Sequence, residues 1–185
     1  MKEDRRARRT RQMLRDAFLA LLKKKRYEDI SVQDIIEWAD VARSTFYVHY
    51  VDKQDLLVGR QGVFASGLGG HAEPAATQEE KRHEPVISTR AWFHHIRAQR
   101  DILKIIARDS AMELAMKNLH DILRADIQAQ VQKSLPEDDL VPPALVVDYL
   151  AGSLMTLIQW WVKQGMKYSP EQMDETFQRL VTPGL

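Results

Sequence analysis

The chain contains no cysteine in its 185 residues. This absence excludes a disulfide framework, a zinc finger and catalysis by a thiol. The N-terminal region also has no apolar segment before a small-residue cleavage site, so the sequence predicts no signal peptide. Both observations agree with the reducing environment of the cytoplasm, and a cytoplasmic location is expected.

Long apolar segments free of charge are also missing. The longest apolar run, residues 144–162, contains Asp148 and Gln159. A membrane span should be nearly free of charged side chains, because burying a charge in lipid is costly. The run therefore predicts a buried helix, and no membrane partner is expected.

The signals of β-strands are scarce. Val, Ile and Thr rarely alternate with polar residues, and neither Asn-Gly nor Asp-Gly occurs in the sequence. Tight hairpins commonly need such dipeptides, and half-buried strands need such alternation. We therefore predict an all-α fold.

No set of residues typical of an enzyme is found. The sequence lacks a nucleophile with its base and orienting group, a glycine-rich phosphate loop and a cluster of metal ligands. His94 and His95 are adjacent, and adjacent side chains on a helix point about 100° apart, unlike the i, i+4 pair of a zinc site. We expect no catalytic residue, no metal and no cofactor.

Positive charge is concentrated at one end of the chain. Residues 1–60 contain 14 Lys and Arg against 10 Asp and Glu, whereas the remainder contains 13 basic and 16 acidic residues. Most of the excess lies before Tyr27, with 11 basic and 3 acidic residues. Such a segment indicates either contact with a polyanion or an ordinary solvated helix face, and charge alone leaves both open.

Apolar periodicity and capping signals predict three helices in the first 50 residues, over 6–25, 31–40 and 42–49. Arg11 and its neighbouring arginines lie off the apolar face of the first helix, free for solvent or phosphate. Ser31 and Asp34 form a capping box at the start of the second helix. Asp40 occupies the turn that follows, where a left-handed residue is often required.

Two short helices joined by a tight turn, after a longer helix, predict a helix-turn-helix. In that motif the second short helix enters the major groove of DNA. Phe46 and Tyr50 lie four residues apart and are predicted to pack inward. The side chains predicted to point outward, which carry hydrogen-bond donors and little acid, are Arg43, Ser44, Tyr47 and either Val48 or His49.

Lys53 is expected in the first turn of a fourth helix, which Asp52 caps. A lysine there opposes the helix dipole, whereas the free N–H groups of a first turn favour an anion. The sequence offers no structural reason for this placement. Lys53 is therefore predicted to bind phosphate.

The rest of the chain is predicted to be a linker and five more helices. The fourth helix is expected to end in the glycine cluster at residues 67–70, and residues 71–85 are polar with two prolines, as a mobile linker is. The remaining helices are predicted over residues 86–99, 101–108, 111–135, 143–165 and 169–181.

At this point the residues resemble a known family. Residues 10–57, TRQMLRDAFLALLKKKRYEDISVQDIIEWADVARSTFYVHYVDKQDLL, resemble the N-terminal domain of TetR/AcrR transcriptional repressors. The motifs that carry the resemblance are Tyr27-Glu28-x-Ile30-Ser31-Val32, Ala39-x-Val41, Thr45-Phe46-Tyr47-x-His49-Tyr50 and Lys53-x-x-Leu56. The stretch LAGSLMTLIQWWVKQGMKYSPEQM resembles, more loosely, the end of the family's C-terminal domain.

The resemblance implies about nine helices, of which three bind DNA, the fourth connects and the last two form a four-helix dimer interface. It also implies DNA contacts by eight residues, and the outward position of Ser44 adds a ninth. The predicted DNA contacts are Thr10, Arg11, Gln33, Arg43, Ser44, Thr45, Tyr47, His49 and Lys53. Two positions depart from the family. Asp40 stands where Gly is common, and Ala42 stands where Ser is common, so the N-cap hydroxyl of the third helix is missing.

The resemblance further implies a small-molecule pocket in the second half, although most of its candidate residues also suit an ordinary core. These candidates are Trp92, Phe93, Ile96, Leu103, Met112, Met116, Tyr149 and Ser153. The helix over residues 143–165 is apolar on more than one face and is predicted to contact both the core and a second subunit. The dimer candidates are Leu150, Leu154, Leu157, Trp161, Met173 and Phe177.

We therefore predict a sequence-specific transcriptional regulator. It is expected to be a homodimeric repressor of palindromic double-stranded operator DNA, released by a small-molecule effector. The alternative is a DNA-binding protein of the same fold without a small-molecule inducer. The predicted organisation is a helix-turn-helix domain (1–51), a connecting helix (52–70), a flexible linker (71–85) and a helical ligand-binding and dimerisation domain (86–185).

Overall fold

Nine α-helices form within the residues that the computed structural model describes, which are 5–64, 87–107, 109–134 and 141–181. No strand occurs in these ranges, and the predicted all-α fold is confirmed. The helices are α1 (Arg5–Leu22), α2 (Val32–Ala39), α3 (Arg43–His49), α4 (Lys53–Val58), α5 (Arg90–Ala98), α6 (Arg100–Ile106), α7 (Ser110–Ser134), α8 (Pro143–Lys163) and α9 (Pro170–Val181), with a 3-10 turn at Tyr27–Asp29. The predicted linker, residues 71–85, lies outside the described residues.

The first of two compact units contains α1 to α4 together with residues 101–117. In this unit α1 packs against α2, and α2 packs against α3. The side chains that are fully removed from solvent at its centre include Leu14, Phe18, Ile35, Phe46 and Leu56. The apolar faces predicted from the periodicity of the sequence therefore pack into the core of this unit. The polar faces of α2 and α3 are exposed to solvent.

The prediction that the fourth helix reaches residues 67–70 was wrong, because α4 ends at Val58. A Cβ atom at Gly59 would lie 1.8 Å from Asp55 Oδ1, and one at Gly62 would lie 2.7 Å from the Leu56 carbonyl oxygen. Glycine lets the chain turn back there, and Val63 N donates to the Leu56 carbonyl over 2.8 Å. The reversal replaces the next turn of helix.

The second unit contains residues 87–100 and 118–181 within the described ranges. In it α9 packs against α5 and α8, and fully buried side chains include Phe93, Leu150, Leu154, Ile158 and Trp161. Helix α8 is long and apolar enough to meet the length and composition of a membrane span. Eight of its 21 residues are buried, so one face of α8 covers the core of the unit, as the sequence predicted, while the other face is exposed.

Candidate nucleic-acid interface

Both ends of α2 are defined by the residues that cap them. Ser31 Oγ accepts a hydrogen bond from Asp34 N over 3.1 Å, and Asp34 Oδ2 accepts one from Ser31 N over 2.8 Å, which confirms the capping box. At the other end Asp40 is left-handed, with φ 51° and ψ 52°. The turn into α3 therefore uses a non-glycine residue in the left-handed conformation. Asp adopts that conformation more readily than most other non-glycine residues.

The inner face of α3 is aromatic. Phe46 is fully buried, and its ring centroid lies 5.9 Å from that of Tyr50. The Tyr50 hydroxyl donates to the Gln61 carbonyl over 3.0 Å, and burial raises the pKa of this phenol. These contacts attach α3 to the chain after α4, so the orientation of the recognition helix depends on the early end of α4.

The outer face brings together three of the predicted DNA contacts. The two terminal nitrogens of the Arg43 guanidinium donate over 3.4 Å to Gln33 Oε1 and to the Tyr47 hydroxyl. The guanidinium carbon also lies 5.7 Å from the Tyr47 ring centroid. Hydrogen bonds of this length are weak and readily exchanged. Gln33 is also held by Glu37, whose Oε1 accepts a hydrogen bond from Gln33 Nε2 over 2.6 Å. In the cluster of Gln33, Arg43 and Tyr47, here called the outer cluster, the Arg43 guanidinium is therefore a donor held loosely in place and open to solvent.

Ser44 is exposed beside this cluster, whereas Thr45 and His49 are half-buried. Burial, and secondly the positive charge of Arg11, lower the pKa of the His49 imidazole from its usual 6.5. His49 is therefore mainly neutral at neutral pH, and it can donate one hydrogen bond without carrying charge.

On α1, the side chains of Thr10 and Arg11 both interact within the protein. The Thr10 hydroxyl donates back to the Arg6 carbonyl over 3.1 Å, as helical threonines often do. Arg11 was expected to be free for solvent, but only 8% of it is exposed. Its positive charge acts on His49. Arg15, half-buried, donates to Gln12 Oε1 over 3.1 Å.

Lys53 has a structural partner, contrary to the argument from sequence. Its ammonium donates to the carbonyls of Tyr27 and Ile30, each over 2.8 Å, and to that of Glu28 over 3.2 Å. It also lies 4.4 Å from the centroid of the Tyr27 ring. All three donors of the ammonium are occupied by carbonyls of residues 27–30, so Lys53 joins the start of α4 to the segment that precedes α2.

The same 3-10 turn is held from its other side by the start of α7. Asp109 Oδ2 accepts a hydrogen bond from Tyr27 N over 2.5 Å, and Glu28 Oε1 accepts one from Ser110 N over 3.2 Å. Hydrogen bonds from Ser110 hold the pKa of the Glu28 carboxyl at about 2, and burial raises the pKa of Tyr27 to about 12. The turn at Tyr27–Asp29 is thus a junction within the first unit, which the sequence pattern did not indicate.

Ala42 occupies the N-cap of α3 with φ −66° and ψ 148°, and no side chain caps the helix there. We expect Ala42→Thr to raise the free energy of unfolding by about 1 kcal/mol over Ala42→Val, because only threonine supplies an acceptor for a first-turn N–H. Urea unfolding of the two nearly isosteric variants measures the difference. Equal stability would show that this cap does not limit the order of α3.

The eight predicted ligand-pocket residues fall in both units. Trp92, Phe93 and Ile96 are buried in the second unit, where Trp92 Nε1 donates to Asp126 Oδ2 over 2.8 Å. Residues 103, 112 and 116 belong to the first unit, where Leu103 is buried and both methionines are half-buried. Only Tyr149 and Ser153 of the eight candidates line the groove described next.

An open groove of about 860 Å³ runs between α8 and α9. Its lining is Asp148, Tyr149, Gly152, Ser153, Thr156, Leu157, Trp160, Thr176, Phe177, Leu180 and Val181. Large apolar side chains remain in solvent there: Tyr149 is 51% exposed, Trp160 44% and Leu180 65%. Exposed apolar side chains gathered along a groove are a candidate interaction surface.

Of the six predicted dimer residues, only Leu157 and Phe177 line this groove. Leu150, Leu154, Trp161, Met173 and Phe177 are buried within the unit, and Leu157 is half-buried. A side chain that already fills the core of its own chain has little surface left for a partner. The exposed faces of α8 and α9 instead offer Tyr149, Trp160 and Leu180. Among the described residues, no three His, Asp or Glu side chains are placed to hold a metal ion.

Comparison with known proteins assigns the N-terminal and C-terminal parts of the chain. Residues 14–59 match the model of "Bacterial regulatory proteins, tetR family", and residues 87–183 match that of a "Transcriptional regulator C-terminal region". The chain belongs to the TetR family. It is therefore a transcriptional regulator with a DNA-binding helix-turn-helix, and regulators of this family are generally not enzymes.

Individual relatives agree with the assignment. The chain is 46% identical over 55 residues to the "Uncharacterized HTH-type transcriptional regulator YxbF" of Bacillus subtilis (strain 168), a match that spans 29% of this chain and 14% of that protein. The fold resembles that of a TetR transcriptional regulator from Streptococcus agalactiae 2603V, with 21% identity, 96% of each chain covered and a TM-score of 0.56. It also resembles the fatty acid degradation regulator FadR from Bacillus halodurans, with 20% identity, 100% and 98% coverage and a TM-score of 0.58.

Proposed function

We propose that this TetR-family regulator represses transcription by inserting α3 into the major groove of a palindromic operator. The outer cluster carries this proposal. Arg43 presents a planar set of donors that matches the O6 and N7 acceptors of guanine, and its weak contacts to Gln33 and Tyr47 exchange easily for DNA. The Tyr47 hydroxyl, like those of Thr10, Ser44 and Thr45, suits phosphate oxygens or base edges.

In the proposed interface, Arg11, His49 and Lys53 have roles that differ from those of the outer cluster. Arg11 is buried and Lys53 donates to three carbonyls, so both act first by positive charge and by ordering the surface. His49 is mainly neutral because its pKa is lowered, so we propose that it donates a hydrogen bond to a phosphate.

We further propose that two copies associate through the groove between α8 and α9. A two-fold axis would place the same exposed residues of each copy, Tyr149, Trp160 and Leu180, against those of the other. Gly152 supports close approach of helices, because its Cβ position has no neighbour within 4 Å. Such a dimer presents two α3 helices to half-sites about 34–36 Å apart. We infer a cytoplasmic location, where operator DNA is accessible.

Selection from a pool of random double-stranded DNA tests the proposal. The wild-type protein should enrich an inverted repeat, and the selected oligonucleotide should bind as a complex of two copies or a multiple of two. Enrichment of a single unrepeated site would contradict the dimer, and failure to enrich any sequence above the input pool would contradict specific DNA binding.

Arg43→Ala should relax the base preference at one position of each half-site. Loss of a bidentate contact to guanine costs about 1–3 kcal/mol of discrimination, which is about fivefold to more than a hundredfold. Competition titrations with operators changed at each position measure it. Tyr47→Phe is the matched comparison, since it should weaken all sequences alike; an unaltered base preference in Arg43→Ala would remove Arg43 from direct readout.

Release by a small-molecule effector is the remaining part of the proposal. A ligand shifts the regulator between conformers only by its differential affinity for them. The burial of Trp92, Phe93 and Ile96 fits an ordinary core as well as an enclosed cavity, so the alternative is a regulator of this fold without a small inducer. Thermal-shift screening followed by operator titration separates the two: a stabilising compound that lowers operator affinity supports an effector, and stabilisation without release contradicts it.

A further inference from the structure

Val48 is an apolar residue on the polar face of the recognition helix. Its side chain is 77% exposed, although its chain neighbours Tyr47 and His49 are proposed DNA contacts. A β-branched residue restricts its own rotamers in a helix, so an exposed valine adds no helix stability there. Burial in the core therefore does not account for Val48.

The position of Val48 on α3 adds a second observation. Residues four apart share one side of a helix, so Val48 lies above Ser44, which is also exposed. Arg43 and Tyr47 of the outer cluster are the residues immediately before these two in the chain. Any surface that meets the outer cluster therefore also meets Val48.

The chemistry of DNA restricts what a valine there can recognise. Phosphates and most base edges in the major groove offer only hydrogen-bond donors and acceptors, which a valine cannot satisfy. The C5-methyl group of thymine is the apolar feature of the major groove, and apolar side chains contact it. A valine over a cytosine would instead face a polar amino group.

We propose that Val48 contacts the C5-methyl group of one thymine in each half-site and so selects thymine at that position. The inference rests on the proposed insertion of α3 into the major groove. It adds a base-specific apolar contact to the hydrogen-bonding set of Arg43, Ser44 and Tyr47.

Replacement of each thymine of the selected half-site by deoxyuridine, one position at a time, tests the contact. Deoxyuridine lacks only the methyl group and keeps the base pair. Wild-type affinity should fall about fourfold at one position, and about sixteenfold when both half-sites carry the change, since burial of one methyl group is worth roughly this factor. Val48→Ala, which keeps only the Cβ methyl, should lose most of this dependence on the thymine methyl group.

Val51→Ala is the matched control, because Val51 is also 77% exposed but follows the end of α3. It should keep the full methyl dependence. Wild-type protein that binds specifically without any methyl dependence overturns the inference but leaves the proposed function intact. Methyl dependence that persists undiminished in Val48→Ala, or that disappears in Val51→Ala, also overturns it. Absence of specific DNA binding would instead be the failure of the proposed function.

Discussion

Leu180→Asp is expected to convert the protein from a dimer to a monomer and to lower its affinity for a palindromic operator by about a hundredfold or more. Leu180 is 65% exposed on α9 and lines the groove against α8. Two-fold symmetry places the new carboxylate in the interface twice, and burying an unpaired charge costs several kcal/mol. Two recognition helices then no longer act as one linked unit on DNA.

Light scattering after size exclusion measures the mass of the complex, and fluorescence anisotropy measures operator affinity. Val141→Asp is the control, because Val141 is another exposed apolar residue of the second unit and does not line the groove. It should remain dimeric with unchanged affinity. A Leu180→Asp protein that stays dimeric would contradict the placement of the interface on the α8–α9 groove.

Lys53→Met is expected to lower the free energy of unfolding by about 3 kcal/mol. Hydrogen bonds to a charged group contribute about 1.5–3 kcal/mol, and the variant leaves the carbonyls of Tyr27, Glu28 and Ile30 without this donor. Methionine keeps most of the aliphatic length of the lysine side chain, so the variant isolates the contribution of the ammonium group to stability. Urea unfolding measures stability, and operator affinity should fall equally for all sequences.

Lys25→Met provides the comparison for Lys53→Met. Lys25 Nζ lies 2.7 Å from Asp34 Oδ1 with its side chain 45% exposed, and exposed pairs contribute about 0–1 kcal/mol. If Lys53→Met were as stable as wild type while DNA binding fell, Lys53 would be a direct phosphate contact. The role of Lys53 as a tether within the protein would then be wrong.

Local features of the fold were predictable from sequence because they depend on neighbouring residues. The capping box of Ser31 and Asp34, the left-handed Asp40 and the inward Phe46 each follow from spacing of three or four residues. The end of α4 was missed because steric limits at Gly59 and Gly62 arise from the folded path of the chain. Helix periodicity carries no information about that reversal.

The candidate site was predictable where a residue's role depends on its helix face, as for Arg43 and Tyr47. Lys53 was misjudged because its acceptors lie 23 to 26 residues earlier in the chain, at a distance that local patterns do not reach. Likewise, the apolar pattern of α8 predicted two buried faces. It did not distinguish the face that covers the core from the one with Tyr149 and Trp160 in solvent.

Dimethyl sulfate footprinting on the selected operator tests the central claim most directly, because guanine N7 lies in the major groove and adenine N3 in the minor groove. If α3 of each subunit enters the major groove, guanine N7 should be protected in both half-sites, about one helical turn apart. The protection nearest Arg43 should be lost in Arg43→Ala. Protection confined to adenine N3, or guanine N7 reactivity unchanged by bound protein, would contradict recognition by α3.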